Sequence, residues 1–70
     1  MTTRTRDHAL PVLLVRPEDA AILLGLGRTK VYELIRSGAL RSVKIGGLRR
    51  IPASALTEFV AKLEQRERVA

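Results

Sequence analysis

With 70 residues, no cysteine and one histidine, the chain has neither disulfides nor thiolate clusters to supplement its core, and most zinc constellations are excluded. So short a domain buries only about 60% of its unfolded surface and needs every apolar position it has. The formal charge of +6 is segregated: residues 28–50 carry Arg28, Lys30, Arg36, Arg41, Lys44, Arg49 and Arg50 against the single acid Glu33, while the rest of the chain balances, a distribution expected of a polyanion binder.

Positions 1–10, MTTRTRDHAL, show no hydrophobic period and read as a flexible basic arm. Arg4 and Arg6 are able to follow a phosphate backbone, and an inert tail is the other reading; His8 has no neighbouring ligand or base and receives no role. Residues 10–15 are apolar, yet Pro11 interrupts them, Arg16 and Glu18 close them, and no small-residue cleavage site follows. They are expected to form a short buried lead-in strand, not a signal peptide. No stretch approaches the roughly 20 apolar residues that span a bilayer, so a soluble cytoplasmic protein associated with the nucleoid is expected.

Pro17 suits a first helical position, and Glu18 and Asp19 complement the positive end of a helix dipole. The helix is expected to run to Leu24, with Ala20, Leu23 and Leu24 as its core stripe and Ile22 nearly opposite. Gly25 fits a left-handed C-terminal cap that folds Leu26 back as a plug. Gly27 then opens a second helix without a side-chain oxygen to cap it, which leaves its first amides free for water or a phosphate. In this helix, 28–37, Val31, Leu34 and Ile35 make one narrow apolar stripe. Thr29, Tyr32, Glu33 and Arg36 lie opposite, with Arg28 and Lys30 at the flanks. Ten residues span about 15 Å, and a helix about 10 to 12 Å across matches the DNA major groove.

After Gly38 a hairpin is predicted: 41–45, a turn at Gly46 and Gly47, and a return strand to Ile51. A two-residue turn places Leu48 and Arg50 on the face of Val43 and Ile45. A three-residue Gly-Gly-Leu loop places Arg49 and Ile51 there and sends Lys44 and Arg50 outward. The second register is preferred because it keeps Ile51 covered, and it gives Arg49 a packed stem with its guanidinium reaching out. Arg41 reads as a solvated charge. Pro52 starts the last helix, in which Leu56, Phe59, Val60 and Leu63 recur at i, i+3, i+4 and i+7, and the charge-alternating tail from Glu64 is expected to fray. Domain bounds follow: an arm at 1–10, a folded unit at 11–65 and a fraying tail at 66–70.

The strings AAILLGLGRTKVYELIRSGAL and VKIGGLRRIPASAL, in the order helix, Gly-containing turn, helix, Gly, basic hairpin, helix, resemble the small excisionase-type, MerR-like winged helix-turn-helix family over residues 14–63. The resemblance implies a mainly α single domain with a β-hairpin wing. Its second helix would enter the major groove through Arg28, Thr29, Lys30, Tyr32 and Arg36. Its wing would lie along the backbone or minor groove through Lys44, Gly46, Gly47, Arg49 and Arg50. Three departures stand out: Arg16 and Gly27 replace the usual Ser or Thr caps, Glu33 occupies an often basic position, and Arg49 an often aromatic or apolar one. Glu33 pairs more readily with Arg36 or Lys30 than with a cytosine. Tyr32 has two open readings, a groove contact and a ring packed on the core edge.

Three readings of function follow. A sequence-specific double-stranded DNA-binding protein leads, most specifically an excisionase that binds and bends attachment-site DNA to assist an integrase. A small transcription regulator of the same fold is the nearest alternative, since the same residues serve both. A protein-interaction module such as an antitoxin represents another class. Membrane binding is disfavoured because the cations span a helix and a hairpin. Two aromatic residues are too few for a single-strand stacking platform. One histidine and no cysteine assemble no nucleophile with base and orienting acid, so neither enzymatic activity nor a cofactor or metal is expected. Resemblance to excisionases also implies binding of further copies on adjacent sites, for which Ile22 is the candidate contact; the other reading of Ile22 is a harmless single exposed hydrophobe or one covered by the N-terminal arm.

Overall fold

The computed structural model describes residues 12–69, so the basic arm with Arg4, Arg6 and His8 lies outside the described residues. Six elements follow one another: β1 (Leu14–Val15), α1 (Pro17–Leu24), α2 (Arg28–Ser37), β2 (Val43–Ile45), β3 (Leu48–Pro52) and α3 (Ala53–Val69). The strands form one antiparallel sheet in the order β1-β3-β2, with Leu14 opposite Pro52 and Val15 opposite Ile51. This is a winged helix-turn-helix: two short helices joined by a glycine turn, a hairpin, and a closing helix.

The first helix is set by an arrangement that its lack of a Ser or Thr cap conceals. Arg16 is the extended residue before the helix, and the Asp19 carboxylate turns back to accept its backbone N–H at 3.4 Å. The same carboxylate takes Nε at 2.9 Å and Nη2 at 3.0 Å in a two-point ion pair. An arginine side chain has no acceptor with which to return the bond, so this is the acidic half of a capping box, reinforced by charge. The Arg16 guanidinium hydrogen-bonded to Asp19 holds its carboxyl below the ordinary carboxylate range, with the Arg16 N–H and the nearby Arg50 charge acting in the same direction. At the other end Gly25 is left-handed at φ 71°, its N–H donates to Ile22 C=O at 3.2 Å, and Leu26 N–H donates to Ala21 C=O at 2.9 Å. This paired closure reverses the chain within two residues.

The core is built from Val15, Ala20, Ala21, Val31, Leu40, Ile51 and Ala55, with Leu24, Leu34, Ile35, Leu56 and Phe59 packed at its edge. Its largest fully buried side chains, Leu40, Ile51 and Val31, fill the centre and leave room on α1 only for small groups. The buried stripe of α1 is therefore Pro17, Ala20 and Ala21, with half-buried Leu24 extending it at i+7. Leu23, expected in that stripe, is 65% exposed. Ile22 is exposed as expected.

Three other expectations are corrected at the strands and the last helix. The lead-in strand is two residues long, with Val15 buried and Leu14 exposed. Pro52 ends β3 and does not start α3: pairing with Leu14 draws it into the sheet, where a strand end tolerates its missing N–H. Helix α3 begins one residue later, anchored by Ala53 N–H donating to Leu13 C=O at 2.8 Å. It runs as helix through Val69, and Glu64 and Arg68 stand at the favourable i, i+4 spacing. Ala55, not the larger residues, is its deepest contact, and Val60 and Leu63 remain exposed.

Candidate nucleic-acid interface

Helix α2 begins at Gly27, which caps it with no side-chain hydrogen bond, and its first intrahelical bond runs from Val31 N–H to Gly27 C=O at 3.2 Å. Val31 is completely buried and Leu34 and Ile35 are half-buried, so the helix is fixed by one side. Its end is fixed as firmly. Gly38 turns left-handed at φ 86°, and Leu40 N–H donates to Leu34 C=O at 3.0 Å, which plants the Leu40 side chain in the core.

What this leaves facing outward is the set read from the sequence. Arg28, Thr29, Lys30, Tyr32 and Arg36 are all exposed. Tyr32 is 45% exposed. The structure divides this group in two. Lys30 approaches Glu33 at 3.8 Å and lines a groove of about 510 Å³ between α2 and α3, beside Leu34, Phe59 and Leu63. Arg28, Thr29, Tyr32 and Arg36 make no side-chain hydrogen bond or ion pair among the described residues. At 100° per residue these four lie within an arc of about 100° in the order Arg28, Tyr32, Arg36, Thr29, so that the phenol sits between two guanidiniums and the hydroxyl at one edge.

The hairpin has the register that the sequence reading set aside. Gly46 and Gly47 form a two-residue turn, with Ile45 opposite Leu48, Lys44 opposite Arg49 and Val43 opposite Arg50. Only Gly46 of the pair is left-handed, at φ 61°, as in tight hairpin turns with glycine at the first central position. Ile51 is nevertheless fully buried, because it lies one rung beyond the end of β2 and packs beneath β1 and the helices. The longer loop was preferred only to cover Ile51, and β1 removes that need.

The consequence is a two-sided wing. Lys44 and Arg49 stand directly across from each other on one face, and Ile45 and Leu48 on the other. Opposed like charges destabilise a strand pair in the free protein, and an anion between them reverses the sign. Arg49 relieves part of that repulsion by donating from Nη1 to Ser42 Oγ at 3.2 Å, and Arg50 folds its Nη1 onto Arg49 C=O at 2.9 Å. Lys44, Gly46, Gly47 and Arg49 are exposed, while Arg50 is half-buried and its charge reaches the first turn of α1.

Arg41 is corrected. It donates to the Glu58 carboxylate at 3.0 Å and to Ser54 Oγ at 3.2 Å, so it ties the segment before β2 to α3 and is not a free solvated charge. Ser42, Ser54 and Glu58 have roles the sequence reading missed. No sequence signal pointed to them: Glu58 has Lys62 at i+4, a ready local partner that conceals its pairing with Arg41. Among the described residues no cluster of His, Cys, Asp or Glu is arranged to hold a metal. No helix in the same span is long and apolar enough to cross a membrane.

Against known proteins, residues 14–64 match the family described as Helix-turn-helix domain. The chain is similar to a protein of Streptomyces ambofaciens named Excisionase, 48% identical over 60 residues that cover 86% of this chain and 87% of the relative. The chain belongs to the excisionase-type helix-turn-helix family. A second relative, named Probable excisionase, from Saccharopolyspora erythraea, is 53% identical over 51 residues, 73% of this chain. The matched span is only 52% of that relative's length. The Magnetosome protein MamR of Magnetospirillum gryphiswaldense is 35% identical over 54 residues, 77% of this chain and 64% of its own. No solved structure matches. The family match spans the elements from β1 through most of α3, so it includes both the unpaired face of α2 and the two-sided wing.

Proposed function

We propose that the protein is an excisionase: it binds double-stranded attachment-site DNA with sequence specificity, bends it, and so assists an integrase in excising an element. The observation that carries this reading is the unpaired outward arc of Arg28, Thr29, Tyr32 and Arg36 on a helix whose other side is locked into the core. Placed in the major groove, the N-terminal residues of such a helix meet base edges, and arginine contacts guanine O6 and N7 in two-point fashion. Lys44, Arg49 and Arg50 on the wing supply phosphate contacts that hold the register without reading sequence. The protein acts through binding alone. The excisionase names of two relatives support the recombination role, and an integrase partner is consistent with it.

Footprinting on the attachment region of the element that encodes the protein, followed by an excision assay with that element's integrase, tests the proposal. Protection of the attachment arm together with stimulated excision is expected. Protection of a promoter with no effect on excision would instead assign a transcription regulator.

A further inference from the structure

The wing carries something phosphate binding does not use. Ile45 and Leu48 form the last rung of the hairpin, directly before its turn, and are 52% and 56% exposed. Among the described residues the turn stands open: a Cβ added at either Gly46 or Gly47 would meet nothing within 4 Å. A hairpin made only to follow a phosphate backbone would place polar side chains at this rung.

Its surroundings identify what these two side chains meet. The next rung back is Lys44 opposite Arg49, followed by Arg50, and residues 43–50 contain no acid. A protein partner would have to accept three cations around an apolar contact of two side chains, far below the roughly 1,000 Å² expected of a specific protein interface. A nucleic-acid duplex takes both parts: phosphates for the cations, and the apolar faces of bases for the leading rung.

Groove dimensions decide how. The B-form minor groove is about 6 Å wide, while two paired strands stand about 4.8 Å apart before their side chains are counted. This tip therefore cannot enter an undistorted minor groove. Apolar side chains enter by prising base steps apart, which widens the groove and kinks the duplex toward the major groove.

We infer that Ile45 and Leu48 are a wedge that the wing drives into the minor groove at a deformable base step, with Lys44 and Arg49 holding the flanking phosphates, so that the hairpin tip produces the bend. This rests on the DNA-binding reading above and assigns the bending to particular residues. Pyrimidine–purine steps unstack most readily and are the expected point of entry.

The probe is a duplex of about 30 base pairs selected from a random pool by the wild-type protein, end-labelled for energy transfer and carrying 2-aminopurine at each pyrimidine–purine step in turn. The wild-type protein is expected to shorten the end-to-end distance and to raise 2-aminopurine fluorescence at one step. Ile45→Thr and Leu48→Thr, which keep a strand-compatible side chain at Ile45 and remove apolar bulk at both positions, should abolish the fluorescence rise and at least halve the distance change. Lys44→Ala should weaken binding yet keep both signals once the duplex is saturated. Bending and unstacking by the threonine variants equal to wild type would overturn the wedge. So would a wild-type protein that binds its selected duplex without bending it, an outcome that leaves the DNA-binding reading standing. Failure of the wild-type protein to enrich any duplex would overturn both. Normal bending by the threonine variants with lost cooperativity on tandem sites would overturn the wedge and assign the tip to a neighbouring copy.

Discussion

Arg41 and Glu58 stand seventeen residues apart in the chain and meet at 3.0 Å, with Ser54 Oγ a second acceptor at 3.2 Å. The contact joins the approach to the wing to the second turn of α3. It also subtracts one cation from the basic segment, because a guanidinium facing a carboxylate contributes little to counterion release.

The salt dependence of binding should therefore divide the cations. Lys44→Ala, Arg49→Ala and Arg50→Ala are each expected to weaken binding to all duplexes and to lower the slope of log K against log salt by about 0.9. Arg41→Ala should leave that slope nearly unchanged and cost roughly 0.5 kcal/mol of stability, as exposed ion pairs do. Affinity titrations between low and moderate salt, with urea unfolding alongside, check both. Equal slopes for Arg41→Ala and Lys44→Ala would refute the division.

On α2 the prediction concerns discrimination. Thr29→Ala and Arg36→Ala should each reduce the preference for the specific site over random duplex by about 1 to 3 kcal/mol where a base contact is lost. Lys30→Ala should reduce it less, because Lys30 lies toward α3 and approaches Glu33 at 3.8 Å. The measurement is specific and non-specific affinity for each variant. Unchanged discrimination in both Thr29→Ala and Arg36→Ala would remove α2 as the reading element.

Ile22 projects from α1 at 77% exposure with no cover among the described residues. As the contact between copies on adjacent sites, it predicts that Ile22→Glu keeps affinity for a single site and loses cooperative filling of a multi-site fragment. Gel-shift titrations of both proteins on one-site and multi-site fragments provide the comparison, and identical cooperativity would exclude this surface.

Asp19 supplies a pH dependence. Its native carboxyl lies below the ordinary range because Arg16 holds it by hydrogen bonds, so its contribution to stability is fully present above the unfolded value of about 3.9 and is lost as pH falls through the lower native value. Wild type should be more stable than Asp19→Asn at pH 7, with the gap closing below about pH 4. Urea unfolding of both proteins across that range makes the comparison. A gap that persists undiminished at the acid end would show that the charge on Asp19 is not what secures α1.

How much of this was legible in the sequence depended on whether the deciding contact was local. The bounds of α1 and α2, the left-handed turn at Gly25 and the outward face of α2 are set by residues within a few positions of one another, and the sequence displays them directly. Leu23, Pro52, Arg41 and the wing register were decided from a distance. Leu40 and Ile51 fill the centre and turn α1 onto its alanines. Leu14 draws Pro52 into the sheet, and Glu58 captures Arg41. Propensity and periodicity carry no information about which segment will lie across the core.

The pairing of Val15 with Ile51 has a consequence for autonomy. The strand that leads into α1 is completed only by the strand that returns from the wing tip, so the reading helix and the wing share one closure. A ribosome-bound chain that has exposed only α1 and α2 has both helices but lacks Ile51, one of the side chains that fill the centre, so they should dock stably only when β3 emerges. Transplanting the two-helix segment alone into another scaffold should give a sensitive, protease-labile fragment. Exchange between relatives should succeed when the unit transferred begins before β1 and ends after β3.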